Sequence, residues 1–214
     1  MIEKDAVATD EKGWLLEREA ELRTEADQML EDSGLRKIIL AEGFYPVGSY
    51  VMQTMTWRDL DFEREREQLD WDVHWDLGNR LAATGWAWRL VGMDPRREPG
   101  IGTGPAEDLY WGIRVSNPKK SSQAIIWMLD LWTPPPGEFT KHRPNRQRWS
   151  AALTDDVRFR ILQVKRAICS LPEYRRTMLS VHVYEAVIDA QVRSVDEFMQ
   201  WWQRRSAENP DRRD

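Results

Sequence analysis

With one cysteine and three histidines in 214 residues, the chain has few of the ligands that transition metals prefer. Cys169 has no second cysteine with which to close an intrachain disulfide, and no multi-cysteine zinc site can be built. That scarcity fits a reducing cytoplasm. No uninterrupted apolar run approaches the roughly 20 residues of a membrane span, and the first residues, rich in Glu, Asp and Lys, do not resemble a signal peptide. The expectation is a soluble, cytoplasmic protein with no membrane partner. Positive charge is not in excess either. Lys and Arg number 31 against 36 Asp and Glu, a formal net charge of -5, so any phosphate must be held by a local patch or by metal ions. Gly100, Gly102 and Gly104 are followed by Pro105 with no helix start, which excludes a Walker or Rossmann phosphate loop there, and no nucleophile elbow occurs.

A hydrophobic share of 41% beside 31% charged residues describes a globular chain, long enough for one sizeable core and a smaller packed subdomain. The twelve tryptophans read first as core volume and second as stacking surfaces. Leu15, Leu22, Ala26, Met29 and Leu30 recur at helical spacing between about Asp10 and Asp32, ahead of Gly34. A second, short helix spans Leu35 to Ala41. Phe44 to Val47 and Trp57 to Phe62 read as strands joined through Gly48-Ser49 and a helical turn. Trp71 to Leu81 reads as an amphipathic helix closed by Gly85, and Trp86 to Met93 as a strand. Leu109 to Val115 and Ala124 to Trp132 then form a hairpin around Asn117-Pro118-Lys119-Lys120-Ser121-Ser122. After Pro134-Pro135-Pro136-Gly137 come a basic loop and helices at about Asp155 to Ser170, Glu173 to Val192 and Val195 to Arg205, the last opened by a Ser194/Glu197 capping box. This pattern predicts an α/β (α+β) fold, a small mixed sheet flanked by helices with a C-terminal helical subdomain. The expected divisions are an N-terminal helix at 1–34, a core domain at 35–137, the basic loop and helical subdomain at 138–206, and a frayed tail at 207–214.

The chemistry gathers around three acids and a turn. Asp59 and Asp61 are two residues apart on an expected strand, so the pleat points both carboxylates to one face with Cα atoms roughly 6.5 Å apart. Hard oxygen ligands of this kind suit magnesium, which completes its shell with water and substrate phosphates. Gly48-Ser49 ends the preceding strand, where a bare backbone, free amides and a hydroxyl suit phosphate oxygens. Asp130 stands inside Ile125 to Trp132, an almost continuous apolar run where a charge is costly unless paired or bound to metal. If its strand adjoins that of Asp59 and Asp61, the three acids suit two cations on an in-line displacement. Asp130 is also placed to take the proton of an attacking hydroxyl.

Phe44-Tyr45-Pro46-Val47-Gly48-Ser49, nine intervening residues, Asp59-Leu60-Asp61-Phe62 and the later Asp130 resemble the DNA polymerase beta-type nucleotidyltransferase superfamily over roughly Leu35 to Thr133. The resemblance implies a small mixed sheet with a helical domain after it. It also implies transfer of a nucleoside monophosphate from a nucleoside triphosphate (NTP) to a hydroxyl, with divalent metal. Gly48 and Ser49 would take the phosphates, Asp59 and Asp61 the metals, and Asp130 would be the third catalytic carboxylate, with Mg2+, two ions, as the cofactor. The acceptor class ranges over small molecules, RNA and protein. One departure stands out: many small members carry an arginine and a glycine after Gly-Ser, whereas this chain reads Tyr50-Val51-Met52-Gln53-Thr54, and Arg58 either compensates or pairs with a nearby acid.

Other readings compete with this one. A domain of the same fold that binds nucleotide or a partner without turnover accounts for the missing arginine and glycine. An RNA-binding module would use tryptophans and the basic loop. For Asp130 the plain alternative is a buried pair with Arg89 or Arg114. Lys141, His142, Arg143, Arg146 and Arg148 form a charge run that reads more readily as a solvated face than as a steering patch. His74 and His182 read as packed histidines on helices.

Overall fold

The computed structural model describes residues 2–66, 70–93, 108–119, 125–135 and 137–208, with the side chains of 2–10 and 138–144 outside the description. The Gly100 to Gly104 stretch, Lys120 to Ser122 of the expected hairpin turn, and the side chains of Lys141, His142 and Arg143 lie outside the described residues. Cα packing separates two units, one of Glu21–Pro144 and one of Met1–Ala20 with Asn145–Asp214. The division falls within the first helix, α1 (Ile2–Asp32). Among the described residues no helix is long and apolar enough to cross a membrane.

The Glu21–Pro144 unit is a mixed α/β structure. Its elements after α1 are α2 (Leu35–Ala41), β1 (Tyr45–Val47), α3 (Gly48–Val51), β2 (Asp59–Glu63), α4 (Trp71–Ala83), β3 (Ala87–Met93), β4 (Leu109–Val115) and β5 (Trp127–Thr133). The five strands lie in the order β1-β2-β5-β4-β3, antiparallel except for the parallel pairing of β2 with β5. Strand parity sorts the side chains. Leu60 and Phe62 of β2, Leu129 and Leu131 of β5, and Trp111 and Ile113 of β4 join one core with Leu22, Ala26, Met29 and Leu30 of α1, Leu35 and Ile39 of α2, and Leu77 and Leu81 of α4. The residues of opposite parity, Asp59, Asp61, Asp130, Tyr110 and Arg114, therefore share the other face of the sheet. His74 is buried against the Trp111 ring at 5.0 Å between centroids, which makes it the packed histidine that was expected.

One charged group is sunk in this unit on the core side. Arg64, 1% exposed, follows β2 and continues its ladder by donating its amide to the Trp132 carbonyl at 3.1 Å. Its Nε donates to Thr133 Oγ1 at 2.8 Å and its guanidinium lies over the Phe44 ring at 4.5 Å. Glu42, at the end of α2, receives Arg64 Nη1 at 3.2 Å, Arg66 Nη2 at 3.1 Å, and Arg80 Nη2 from α4. Burial, with the nearby Arg66 charge, pushes Arg64 down to about 10, so it remains charged at neutral pH. Burial pushes Glu42 up, but the Arg80 hydrogen bond and the three guanidinium charges outweigh it and hold the carboxyl below its ordinary 4.5.

The second unit is helical: besides the start of α1 it holds the part of α5 (Glu138–Ala152) from Asn145 onward, α6 (Asp155–Ile168), α7 (Ser180–Tyr184), a π-helical turn at Glu185–Asp189, and α8 (Val195–Glu208). Two expectations are corrected here. The basic segment is not a loop but α5, which starts directly after Gly137. The expected helix from Glu173 to Val192 is broken: Leu171 to Met178 form turns that carry a Tyr174–Met178 bridge, and the helix resumes only at Ser180 before widening into the π turn. Periodicity alone missed the break because Tyr174 and Met178 are buried in the turns as they would be on a helix. The capping of α8 is as expected in type, with Ser194 Oγ accepting the Glu197 amide at 3.2 Å while Glu197 accepts the Arg193 amide at 2.7 Å. His182 is packed, its Nδ1 accepting the Leu179 amide at 3.0 Å.

The lowered Glu42 value fixes a pH dependence. A depressed carboxyl contributes stability above its unfolded value near 4.5 that is lost as pH falls through the folded value. Glu42→Gln leaves Arg64 buried without its counter-charge, and it is expected to cost about 3 kcal/mol at neutral pH in urea unfolding. The difference between variant and wild type should narrow below pH 4.5; an unchanged difference down to acid pH would mean that the cluster does not hold Glu42 ionised.

Candidate functional site

The site begins at the end of β1. Val47 is extended, and Gly48 turns the chain into α3 with a φ of 65°, a left-handed value that disfavours any side chain. The close approach of a neighbour adds a second requirement: a Cβ on Gly48 would lie 2.7 Å from Asp61 Oδ2. Ser49 is the second residue of α3, half-buried beside it. The turn and the acid are thus packed directly against each other, as Val47 also pairs in register with Asp61 across β1 and β2.

The parallel register brings the acids together. Asp61 is the partner of Asp130, and Leu60 and Phe62 are the partners of Leu129 and Leu131. Adjacent strands lie roughly 4.8 Å apart, so Asp61 and Asp130 project from neighbouring positions of one face, with Asp59 two residues along it. The five residues singled out from the sequence therefore occupy one patch: Gly48 and Ser49 at the turn, Asp59 and Asp61 on β2, Asp130 on β5.

Neutral donors hold two of the acids. Tyr110 Oη donates to Asp130 Oδ1 at 2.7 Å, and Trp57 Nε1 donates to Asp59 Oδ2 at 3.2 Å. Asp59 is buried, while Asp61 and Asp130 are half-buried. Tyr110 reaches Asp130 by lying across Gly112, the β4 residue in register with Asp130; a Cβ at Gly112 would collide with the Tyr110 hydroxyl. The Tyr110 ring also packs on Trp132 with 4.3 Å between centroids. Burial raises the Tyr110 phenol well above its ordinary value, and the charge and hydrogen bond of Asp130 add to the rise, with a further contribution from Asp59. Among the described residues no group of three or more His, Cys, Asp or Glu side chains is gathered closely enough to hold a metal ion.

Two residues that flank the patch, Tyr50 and Arg58, are engaged with α1. Tyr50 donates to Asp27 Oδ1 of α1 at 2.5 Å, and Arg36 Nη2 donates to the same oxygen at 2.6 Å. Arg58 pairs with Glu25, its Nε and Nη2 each 2.8 Å from Oε2. Both residues tie the turn and the approach to β2 onto α1. The residues that sequence reasoning missed are Trp57, Tyr110 and Gly112. The signal for the last two was the parity of β4, in which Leu109, Trp111, Ile113 and Val115 face the core and leave Tyr110, Gly112 and Arg114 on the face of the acids. No family model and no curated protein matches the chain.

The packing of Asp61 on Gly48 predicts coupling between the two. Gly48→Ala introduces left-handed strain of about 1 to 2 kcal/mol and a steric conflict with Asp61, and it should lower stability by at least the strain in urea unfolding. In an Asp61→Ala background the conflict is gone, so the same glycine substitution should cost less; equal costs in the two backgrounds would rule out the contact as the source.

Proposed function

We propose that the protein transfers a nucleoside monophosphate from an NTP to a hydroxyl-bearing acceptor. The observation that carries this reading is the in-register pairing of Asp61 with Asp130 beside Gly48, which joins the turn and the acids in one patch. The bare backbone of Gly48 and the hydroxyl of Ser49 suit the triphosphate tail. Asp61 and Asp130, paired in register, would hold magnesium together with the oxygens of the triphosphate, as this ion does when few protein ligands converge, with Asp59 two residues along the same face. When bound, the metal neutralises phosphate charge and eases departure of pyrophosphate. Asp130 acts as general base, accepting the proton of the acceptor hydroxyl through a carboxylate oxygen that already accepts one phenolic hydrogen bond. We place the reaction in a reducing, cytoplasmic setting, in keeping with a single exposed cysteine, Cys169.

A second reading has its own support. Asp130 and Asp59 are engaged by Tyr110 and Trp57, the arginine and glycine that many small members carry after Gly-Ser are absent, and Tyr50 contacts Asp27 instead. A domain so arranged binds nucleotide or a partner as a regulator without turnover.

Titration calorimetry with each of the four NTPs, with and without magnesium, separates these from error. Magnesium-dependent binding is expected for wild type, with a loss of at least about tenfold in affinity for Asp61→Ala, the step that 1.4 kcal/mol would produce. Absence of binding to any triphosphate would sink the catalytic reading.

A further inference from the structure

A line of groups crosses the sheet in the order of its strands: Tyr110 on β4, Asp130 on β5, Asp61 on β2, and Gly48 at the end of β1. At one end is the turn suited to a triphosphate. At the other is a hydroxyl already bonded at 2.7 Å to the carboxylate that the proposed reaction uses as its base. The relation of Tyr110 to Asp130 is thus the relation an acceptor alcohol needs: an O–H donor aimed at the base, within hydrogen-bond reach. The phenol is held there from two sides, by the Trp132 ring at 4.3 Å and by the side-chain-free backbone of Gly112 beneath it. A phenylalanine would keep the ring contact with Trp132 but would bring no nucleophile to Asp130.

We infer that Tyr110 is itself an acceptor, so that the protein nucleotidylates its own tyrosine. This inference rests on the reading of the site as a nucleotidyltransferase and names its substrate class as a phenolic hydroxyl. Tyr110 Oη forms a bond to the α-phosphorus of the NTP while the bond from that phosphorus to the bridging oxygen breaks. Pyrophosphate leaves, and the phenolic proton passes to Asp130 Oδ1. The product is a phosphodiester between Tyr110 and the nucleoside, with no change in oxidation state and no other reactant. Modification removes the hydrogen-bond donor that occupies Asp130 and places a charged nucleotide on the same face of the sheet.

The full chain is incubated with magnesium and each NTP in turn, followed by intact mass measurement and peptide mapping. The expected result is a mass gain of one nucleoside monophosphate located on Tyr110. It should be absent in Tyr110→Phe and formed at least about a hundredfold more slowly in Asp130→Asn. Mapping in the wild type keeps the test independent of whether Tyr110→Phe folds. Magnesium-dependent NTP binding without an adduct, or with an adduct on another residue, overturns self-modification and leaves the transferase reading intact. Absence of magnesium-dependent binding overturns both.

Discussion

The parallel pairing of β2 with β5 is the constraint from which the site follows. An antiparallel hairpin can be closed by a short turn, whereas this pair is separated in sequence by α4, β3 and β4, and its register is set by the apolar residues on the core side. Leu60 opposite Leu129 and Phe62 opposite Leu131 bury completely or nearly so. A slip of one residue would drive Asp59 or Asp61 into that core. Hydrophobic burial on one side of the sheet thus decides the position of the carboxylates on the other, and the precision of the polar patch is inherited from the packing beneath it.

Around this pair, charge is handled in two different ways. On the core side, Arg64 is buried outright and is compensated by Glu42, which gathers Arg66 and Arg80 as well and so ties the end of α2, the exit of β2 and the helix α4 to a single carboxylate. On the opposite face the acids meet a phenol and an indole, donors that satisfy an oxygen without cancelling its charge. Charge is met by charge on the core side, and by neutral hydrogen-bond donors, with Arg114 nearby, on the face of the acids.

Much of this was legible in the sequence. The spans Leu35 to Ala41 and Leu109 to Val115 were read to the residue, because a glycine or a polar cluster follows each and the apolar periods change there. The same-face placement of Asp59 and Asp61 followed from the pleat. Their meeting with Asp130 did not, since strand order is set by tertiary packing and no local pattern encodes it. The helix α5 was hidden by its charge and by Pro144, and the break at Tyr174 was hidden because burial continued through it. Tyr110 was overlooked for another reason: a lone tyrosine on a strand reads as ordinary packing until its partner across the sheet is known.

Gly112 has one more consequence, and it concerns descent. The phenol at 110 lies toward Asp130 across a position with no side chain: the three atoms that a Cβ at 112 would meet first all belong to Tyr110, and the backbone there is ordinary strand. The two positions form one heritable unit. A lineage that replaced Tyr110 with a small residue would relieve position 112 of its conflict with the phenol, whereas a lineage that first acquired a side chain at 112 would push the ring away from the acid. Order of substitution would then matter, with the path through residue 110 open and the path through residue 112 closed.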